Sequence, residues 1–121
     1  MYRVLTIDDD NDTRALLDTM LKKLGCRTTS VDSGSAGIVQ TSDFQPDLIL
    51  LDIMMADLSG YEVCTILRSQ GYTGRIVLIS AIPLSVGRDR AKECGADDYV
   101  QKPISTRALI DLFASLLMPA P

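Results

Sequence analysis

The chain contains no histidine and no tryptophan, only 2 phenylalanines, and 3 cysteines that form no CxxC pair. Without histidine there is no imidazole to act as general acid or base, and none to carry a phosphoryl group. Cys26, Cys64 and Cys94 are odd in number and widely spaced, so neither a disulfide framework nor a zinc site is expected. The expectation is three partly buried thiols in a reducing compartment. Positive charge is also short. The 12 Lys and Arg stand against 16 Asp and Glu, a formal net charge of -4. A domain that grips a phosphate backbone needs a basic face, so no nucleic-acid binding by this domain is expected. No apolar run approaches the roughly 18 residues of a membrane span. Strand-like residues begin almost directly after Met1, so no signal peptide is expected, no membrane partner, and the cytoplasm is the expected location.

What is present suffices for one core. The 121 residues are 46% hydrophobic and 23% charged, the size and balance of a single globular domain. Strand-like and helix-like patterns alternate along them. Leu17, Met20, Leu21 and Leu24 fall at i, i+3, i+4 and i+7, one face of a helix whose start Asp10 or Asp12 caps and which Gly25 ends. Arg27 to Val31 reads as a strand, and Ser35 to Ser42 as a helix opened by Ser33-Gly34. Ile53 to Gly60 is a loop, and Tyr61 to Ser69 a helix with Val63, Ile66 and Leu67 on one face. Pro83 sits at the first turn of the next helix, along which Val86, Arg90 and Cys94 lie a turn apart before Gly95. Ser105 caps a last helix with an apolar stripe of Leu109, Leu112, Phe113 and Leu116. Residues 1–118 thus form one domain, and 119–121 a tail or the start of a linker. Five strand–helix units with right-handed crossovers imply an α/β fold, a doubly wound parallel sheet covered on both faces.

The chemistry sits where the strands end. Val4-Leu5-Thr6-Ile7 runs into Asp8-Asp9-Asp10, Leu48-Ile49-Leu50-Leu51 into Asp52, Ile76-Val77-Leu78-Ile79 into Ser80, and Asp98-Tyr99-Val100-Gln101 into Lys102-Pro103. In an open parallel sheet these carboxyl ends share one edge, where ligand sites form. Clustered carboxylates suit a hard cation such as Mg2+. An ammonium and a hydroxyl suit a phosphoryl group beside it.

In order and spacing these motifs resemble the receiver domain of two-component response regulators, over residues 3 to about 117. The resemblance implies a flavodoxin-like sheet of order 2-1-3-4-5 with five helices. It makes Asp52 the phospho-acceptor, and Asp8 and Asp9 the metal pair, Asp9 binding Mg2+ directly and Asp8 mainly through water. Asp52 and the backbone carbonyl of Met54 would add ligands. Lys102 would face the acceptor and then the phosphoryl oxygens, across a Lys-Pro bond that is commonly cis in the family. Ser80 would be the switch hydroxyl and Tyr99 the switch aromatic, moving inward as the hydroxyl moves. Phosphorylation would alter the face made by the fourth helix, fifth strand and fifth helix, from about Leu84 to Leu116, a surface for an output partner or a homodimer. The expected donor is a histidine kinase, a phosphotransfer protein or a small acyl phosphate. The domain is expected to catalyse only its own Mg2+-dependent phosphorylation and dephosphorylation, and so not to be an enzyme in the usual sense.

Three positions depart from the family pattern. Ala56 replaces the usual proline, which implies a less rigid loop from Met54 to Gly60. Met54 and Ile82 offer nothing to orient water, which implies slow self-dephosphorylation. Ile82-Pro83-Leu84 makes the mouth of the site greasier than usual. Among the alternatives, a flavodoxin-type redox protein would need a first loop that cradles phosphate, and Asp8-Asp9-Asp10-Asn11-Asp12 repels one. A haloacid-dehalogenase-type phosphatase wants an acid where Met54 stands. A phosphorylation-independent pseudo-receiver shares the fold, but the complete set of Asp8, Asp9, Asp52, Ser80 and Lys102 speaks against it.

Overall fold

Leu48, Ile49, Leu50 and Leu51 are all fully buried in the computed structural model, which describes residues 2–117. A strand that exposes neither face belongs at the middle of a sheet with helices above and below, and this one does. The elements run β1 (Arg3–Ile7), α1 (Asn11–Lys23), β2 (Arg27–Val31), α2 (Gly34–Phe44), β3 (Leu48–Asp52), α3 (Gly60–Ser69), β4 (Arg75–Ser80), α4 (Leu84–Glu93), β5 (Asp98–Gln101) and α5 (Thr106–Leu117). The five strands are parallel, in the order β2-β1-β3-β4-β5.

Side chains alternate across a strand, so β3 serves two cores. Ile49 and Leu51 join Leu5, Ile7, Val63, Leu67, Ile76 and Leu78 on the side of α2, α3 and α4. Leu48 and Leu50 join Val4, Leu17, Leu21, Val77, Ile79 and Leu109 on the side of α1 and α5. Each such leucine or isoleucine contributes about 1.5–3 kcal/mol by leaving water.

The helix boundaries carry local signals. Asp10 caps α1, its carboxylate accepting from the Thr13 backbone N–H at 3.2 Å and the Thr13 hydroxyl at 2.5 Å. Ser33 caps α2, which begins one residue before the expected Ser35 and runs to Phe44 rather than Ser42, where Gln45 takes up a left-handed φ of 52°. Ser59 and Glu62 form a reciprocal capping box at α3. Pro83 is the N-cap of α4, just outside the helix rather than in its first turn. Ser105 Oγ accepts the Ala108 N–H at the start of α5.

The apolar faces shift in detail from those expected. Leu24 is the C-cap of α1 and 42% exposed, because the helix ends before it can turn inward. Ile66 is half-buried, and Tyr61 and Cys64 take the sheet-facing places beside Val63 and Leu67. Along α4 the residues facing the sheet are Gly87 and Ala91, while Val86 is 68% exposed. Cys64 is buried, Cys26 and Cys94 are half-buried, and all three are free thiols. The side chain of Leu116 and residues 118–121, with the expected tail, lie outside the described residues. Among the described residues no helix is long and apolar enough to cross a membrane.

Gly60 sets the exit of β3. A Cβ there would lie 2.4 Å from the Asp52 carbonyl oxygen and 2.8 Å from the Ile53 Cα, both backbone atoms that cannot step aside. Its N–H donates to the Ile53 carbonyl at 2.8 Å. Gly60→Ala therefore pushes the end of β3 and is expected to cost about 1–3 kcal/mol, read as a lower denaturation midpoint.

Candidate functional site

The backbone brings four chemical groups to one edge. Asp8 follows β1, and its N–H donates to Val31 O at 3.1 Å. Asp52 is the last residue of β3, in register with Ile79 of β4. Ser80 ends β4, opposite Gln101 of β5. Lys102 follows β5, and its N–H donates to Ser80 O at 2.8 Å. The parallel pairing thus converts four distant sequence positions into one constellation at the carboxyl ends of the strands.

One carboxylate oxygen from each of Asp8, Asp9 and Asp52 lies within 4.8 Å of the others. Asp8 is completely buried, Asp52 is 4% exposed, and Asp9 faces solvent. Asp8 Oδ1 accepts the Asp10 N–H at 2.9 Å. Its Oδ2 is buried with no hydrogen bond, and the Lys102 ammonium sits 2.9 Å away as a charge contact outside hydrogen-bond geometry. Lys102 also lies 3.5 Å from Asp52 Oδ1. An anionic oxygen held dry without a donor is costly unless a cation completes it. Asp8 Oδ2, with only the Lys102 ammonium beside it and two more carboxylates nearby, fits a hard divalent ion with oxygen ligands.

The charges shape one another. Burial first, and then the Asp8 carboxylate, push the pKa of Asp52 up from 3.8 to about 6, against the pull of Lys102. For Lys102, burial works to lower the pKa, but Asp8 and Asp52 together outweigh it, so the ammonium stays charged above the usual lysine range. Lys102-Pro103 is a cis peptide bond, as expected from the family resemblance.

Ser80 is buried, and its Oγ accepts the Ile82 N–H at 3.2 Å. Tyr99 is buried as well, with its ring under α4 and its hydroxyl donating to the Ile82 carbonyl at 2.5 Å. Beside the carboxylates an open cleft of about 640 Å3 is walled by Ile53, Met54, Met55, Ala56 and Ile82, with Asp9 at its edge. The Met54 side chain is 65% exposed. Of Ile82, Pro83 and Leu84, only Ile82 lines this cleft, and its other apolar walls come from Ile53 to Ala56.

Two supporting residues escape a local reading of the sequence. Arg14, on α1, donates to the Asp8 carbonyl at 2.6 Å and to the Asn11 side chain, bracing the acidic loop from behind. Asp57, next to Ala56, accepts the N–H of Gly34 at 3.0 Å, the N–H of Ser35 at 2.9 Å and the Ser35 hydroxyl at 2.7 Å. Those bonds to the Ser35 N–H and hydroxyl, then to Gly34, hold its carboxyl far below the usual aspartate range. The loop after Asp52 is thus fastened to the N-terminus of α2. Where the missing proline implied slack, Asp57, Gly60 and the Ser59–Glu62 box supply anchors.

Comparisons with known proteins agree with this geometry. The family model of the response regulator receiver domain matches residues 4–114. The DNA-binding response regulator MtrA of Mycolicibacterium smegmatis is 34% identical over 108 residues, which are 89% of this chain and 47% of that protein. The probable transcriptional regulator ycf27 of Cyanidium caldarium is 34% identical over 116 residues, 96% of this chain and 46% of that protein. The chain spans about half the length of these curated relatives. Among solved structures, the receiver domain of the Francisella response regulator 1452 superposes with a TM-score of 0.88 at 28% identity, covering 96% of both chains. Response regulator TrrA of Thermotoga maritima, in complex with Mg2+ and BeF, gives a TM-score of 0.86 at 28% identity over 96% of this chain and 99% of that one. A doubly wound sheet with an acid cluster, hydroxyl and lysine at its carboxyl edge, matched along nearly its whole length, makes this chain a member of the response regulator receiver domain family.

Proposed function

We propose that Asp52 is the phospho-acceptor of this domain and that Mg2+ is held beside it by Asp8, Asp9, Asp52 and the Met54 backbone carbonyl. The observation that carries the reading is the close set of three carboxylates with Lys102 3.5 Å from the Asp52 oxygen. An Asp52 carboxylate oxygen bonds to phosphorus as the bond from phosphorus to the donor's nitrogen or acyl oxygen breaks, and the donor leaves with the electron pair. Bound Mg2+ supplies charge neutralisation on the transferring oxygens. Lys102 meets the remaining charge with an ammonium that its two carboxylate neighbours keep protonated. Ser80 ends the adjacent strand β4, and its hydroxyl would donate to a phosphoryl oxygen.

The phosphoryl donor is a sensor histidine kinase or a phosphotransfer protein, with a small acyl phosphate as a substitute. Ser80 and Tyr99 form the switch, and its readout is the face of α4, β5 and α5. Val86 of α4 and Ile110 of α5 are apolar and exposed, at 68% and 43%, and α5 also carries the Arg107–Asp111 ion pair of 3.2 Å. Such a surface suits an output partner or a second copy of the chain. The domain acts in the cytoplasm as a signalling module that catalyses only its own phosphorylation and dephosphorylation.

Met54 and Ile82 bring no polar group to position a water in line with an acyl phosphate. The phosphorylated form is therefore expected to persist well beyond seconds, measured by decay of the phosphoprotein after donor removal. Decay within seconds would contradict that role for the two side chains.

The test of the whole reading is titration with beryllofluoride, a mimic of the acyl phosphate, followed by amide NMR with and without Mg2+. The expected result is Mg2+-dependent shifts around Asp52, Ser80 and Tyr99 that vanish in Asp52→Asn. No shifts in the wild type would make the chain a pseudo-receiver that works by binding alone.

A further inference from the structure

Gly87 lies inside α4, in its first turn, with an ordinary helical backbone rather than the positive φ found at Gly25, Gly71 and Gly95. Backbone geometry therefore does not demand a glycine there. Glycine is a poorer helix former than alanine, so the position costs the helix something, and the explanation lies in the space above it. A Cβ on Gly87 would stand 2.7 Å from Cε2, 2.9 Å from the hydroxyl oxygen and 3.0 Å from Cζ of Tyr99. Real Cβ atoms do not approach that closely. The ring of Tyr99 occupies the volume that every other residue type would fill.

The seated ring is tied to the acceptor edge through one residue. The Tyr99 hydroxyl donates to the Ile82 carbonyl at 2.5 Å, and the Ile82 N–H donates to Ser80 Oγ at 3.2 Å. Ile82 thus holds the ring with one backbone group and the strand-end hydroxyl with the other. Movement of either end is felt by the other across the three residues Ser80 to Ile82, which lead from the end of β4 toward α4.

We infer that Gly87 is a positioning residue of the switch: its missing Cβ is the socket that admits Tyr99 beneath α4, and Ile82 couples that seated ring to Ser80. This rests on the reading of Ser80 and Tyr99 as the switch pair. With the socket filled, the Tyr99 ring must shift away from α4, which loosens its bond to Ile82 and the support that Ile82 gives Ser80. Binding at Asp52 that favours the seated arrangement then weakens by the same coupling.

Gly87→Ala tests this, since alanine favours the helix and leaves the fold intact, as circular dichroism would verify. The first readout is chemical: nitration of individual tyrosines, followed by mass spectrometry. Tyr99 in Gly87→Ala is expected to react several-fold faster than in the wild type, with Tyr2 and Tyr72 unchanged. Equal reactivity of Tyr99 in both proteins would overturn the socket. The second readout is beryllofluoride affinity with Mg2+ in four proteins: wild type, Gly87→Ala, Tyr99→Ala and the double variant. The expected loss is roughly tenfold from Gly87→Ala when Tyr99 is present and less than about twofold when it is alanine. The same loss in both backgrounds, or none in either, would overturn the coupling. A wild type that fails to bind beryllofluoride would instead sink the phospho-acceptor reading and with it the coupling through Ile82, while the nitration result would still decide the socket.

Discussion

Asp52→Asn is expected to abolish phosphoryl uptake and, at the same time, to make the metal-free protein more stable. The first effect follows from chemistry. An amide is a poor nucleophile for phosphorus, and Asp8, the other buried carboxylate beside Lys102, is assigned to the metal. The second follows from electrostatics. Asp52 is nearly dry, faces the wholly buried Asp8, and has its pKa raised to about 6 by burial and then by Asp8. In the folded chain it takes up its proton near pH 6, and in the unfolded chain near the ordinary 3.8. Between those values the folded state binds more protons, so this group's contribution lowers stability above pH 6 and recovers it as pH falls toward 4. A neutral asparagine removes the penalty. Allowing for imperfect replacement of its contacts, the gain at pH 7 is about 1–2 kcal/mol. Denaturant unfolding without Mg2+ measures it. The wild type should become more stable from pH 7 to about pH 5, and Asp52→Asn should not show that rise. The window must stop there, because Asp10 and Asp18 have depressed pKa values, both set first by a side-chain hydrogen bond, and lose stabilisation at lower pH. A wild type whose stability is flat over that range would contradict the raised Asp52.

Lys102→Met has the opposite sign on stability and the same sign on function. Lys102 is 2.9 Å from Asp8 Oδ2 and 3.5 Å from Asp52 Oδ1, with 22% of its side chain exposed. Methionine keeps the chain length and removes the charge, leaving two buried carboxylates facing each other without their cation. Breaking a fully buried pair costs about 3–5 kcal/mol. Partial exposure and protonation of Asp52 reduce this, so a loss of about 2 kcal/mol at pH 7 is expected. Mg2+ restores much of it, because a divalent ion neutralises the same pair. Phosphoryl uptake falls by about 100-fold, the scale of losing one charged transition-state contact. A variant with unchanged stability in the absence of Mg2+ would show that Lys102 is not the counter-ion of this edge.

The parts of this account that were legible in the sequence are those written in local runs. Leu48 to Leu51 announces a strand covered on both faces because four consecutive apolar side chains need two cores. Once such runs are recognised as parallel strands, Asp8, Asp52, Ser80 and Lys102 fall at one edge without further information. Helix periodicity placed Leu17, Met20 and Leu21 correctly but carried one step too far to Leu24, because the pattern does not mark where a helix stops turning. The residues that escaped are those whose meaning depends on a distant partner. Asp57 in sequence is an ordinary loop aspartate, because Gly34 and Ser35, which it grips, lie a helix and a strand earlier in the chain. Gly87 in sequence is only a glycine within a helix, and the ring of Tyr99 lying over it gives the glycine a reason. Arg14 reads as a helix-surface charge until its bond to the Asp8 carbonyl is seen.

Ala56 illustrates how the fold compensates. Proline after Met55 would stiffen the loop through its own backbone. Here stiffness comes from side chains and backbone bonds on either side: Asp57 on the N-terminus of α2, the Ile53–Gly60 bond of 2.8 Å, and the Ser59–Glu62 box. The chain therefore leaves β3 after Asp52 along a defined path, which would hold the carboxylate in place for the proposed transfer.

The central claim is that this edge accepts a phosphoryl group on Asp52 with the help of Mg2+. Its most direct test is intact-protein mass spectrometry after incubation with acetyl phosphate, with Mg2+ and with a chelator, on the wild type and Asp52→Asn. The account predicts the added mass of one phosphoryl group on the wild type only when Mg2+ is present, localised to the peptide that contains Asp52, and none on Asp52→Asn. An unmodified wild type under those conditions, or equal modification of Asp52→Asn, would contradict it.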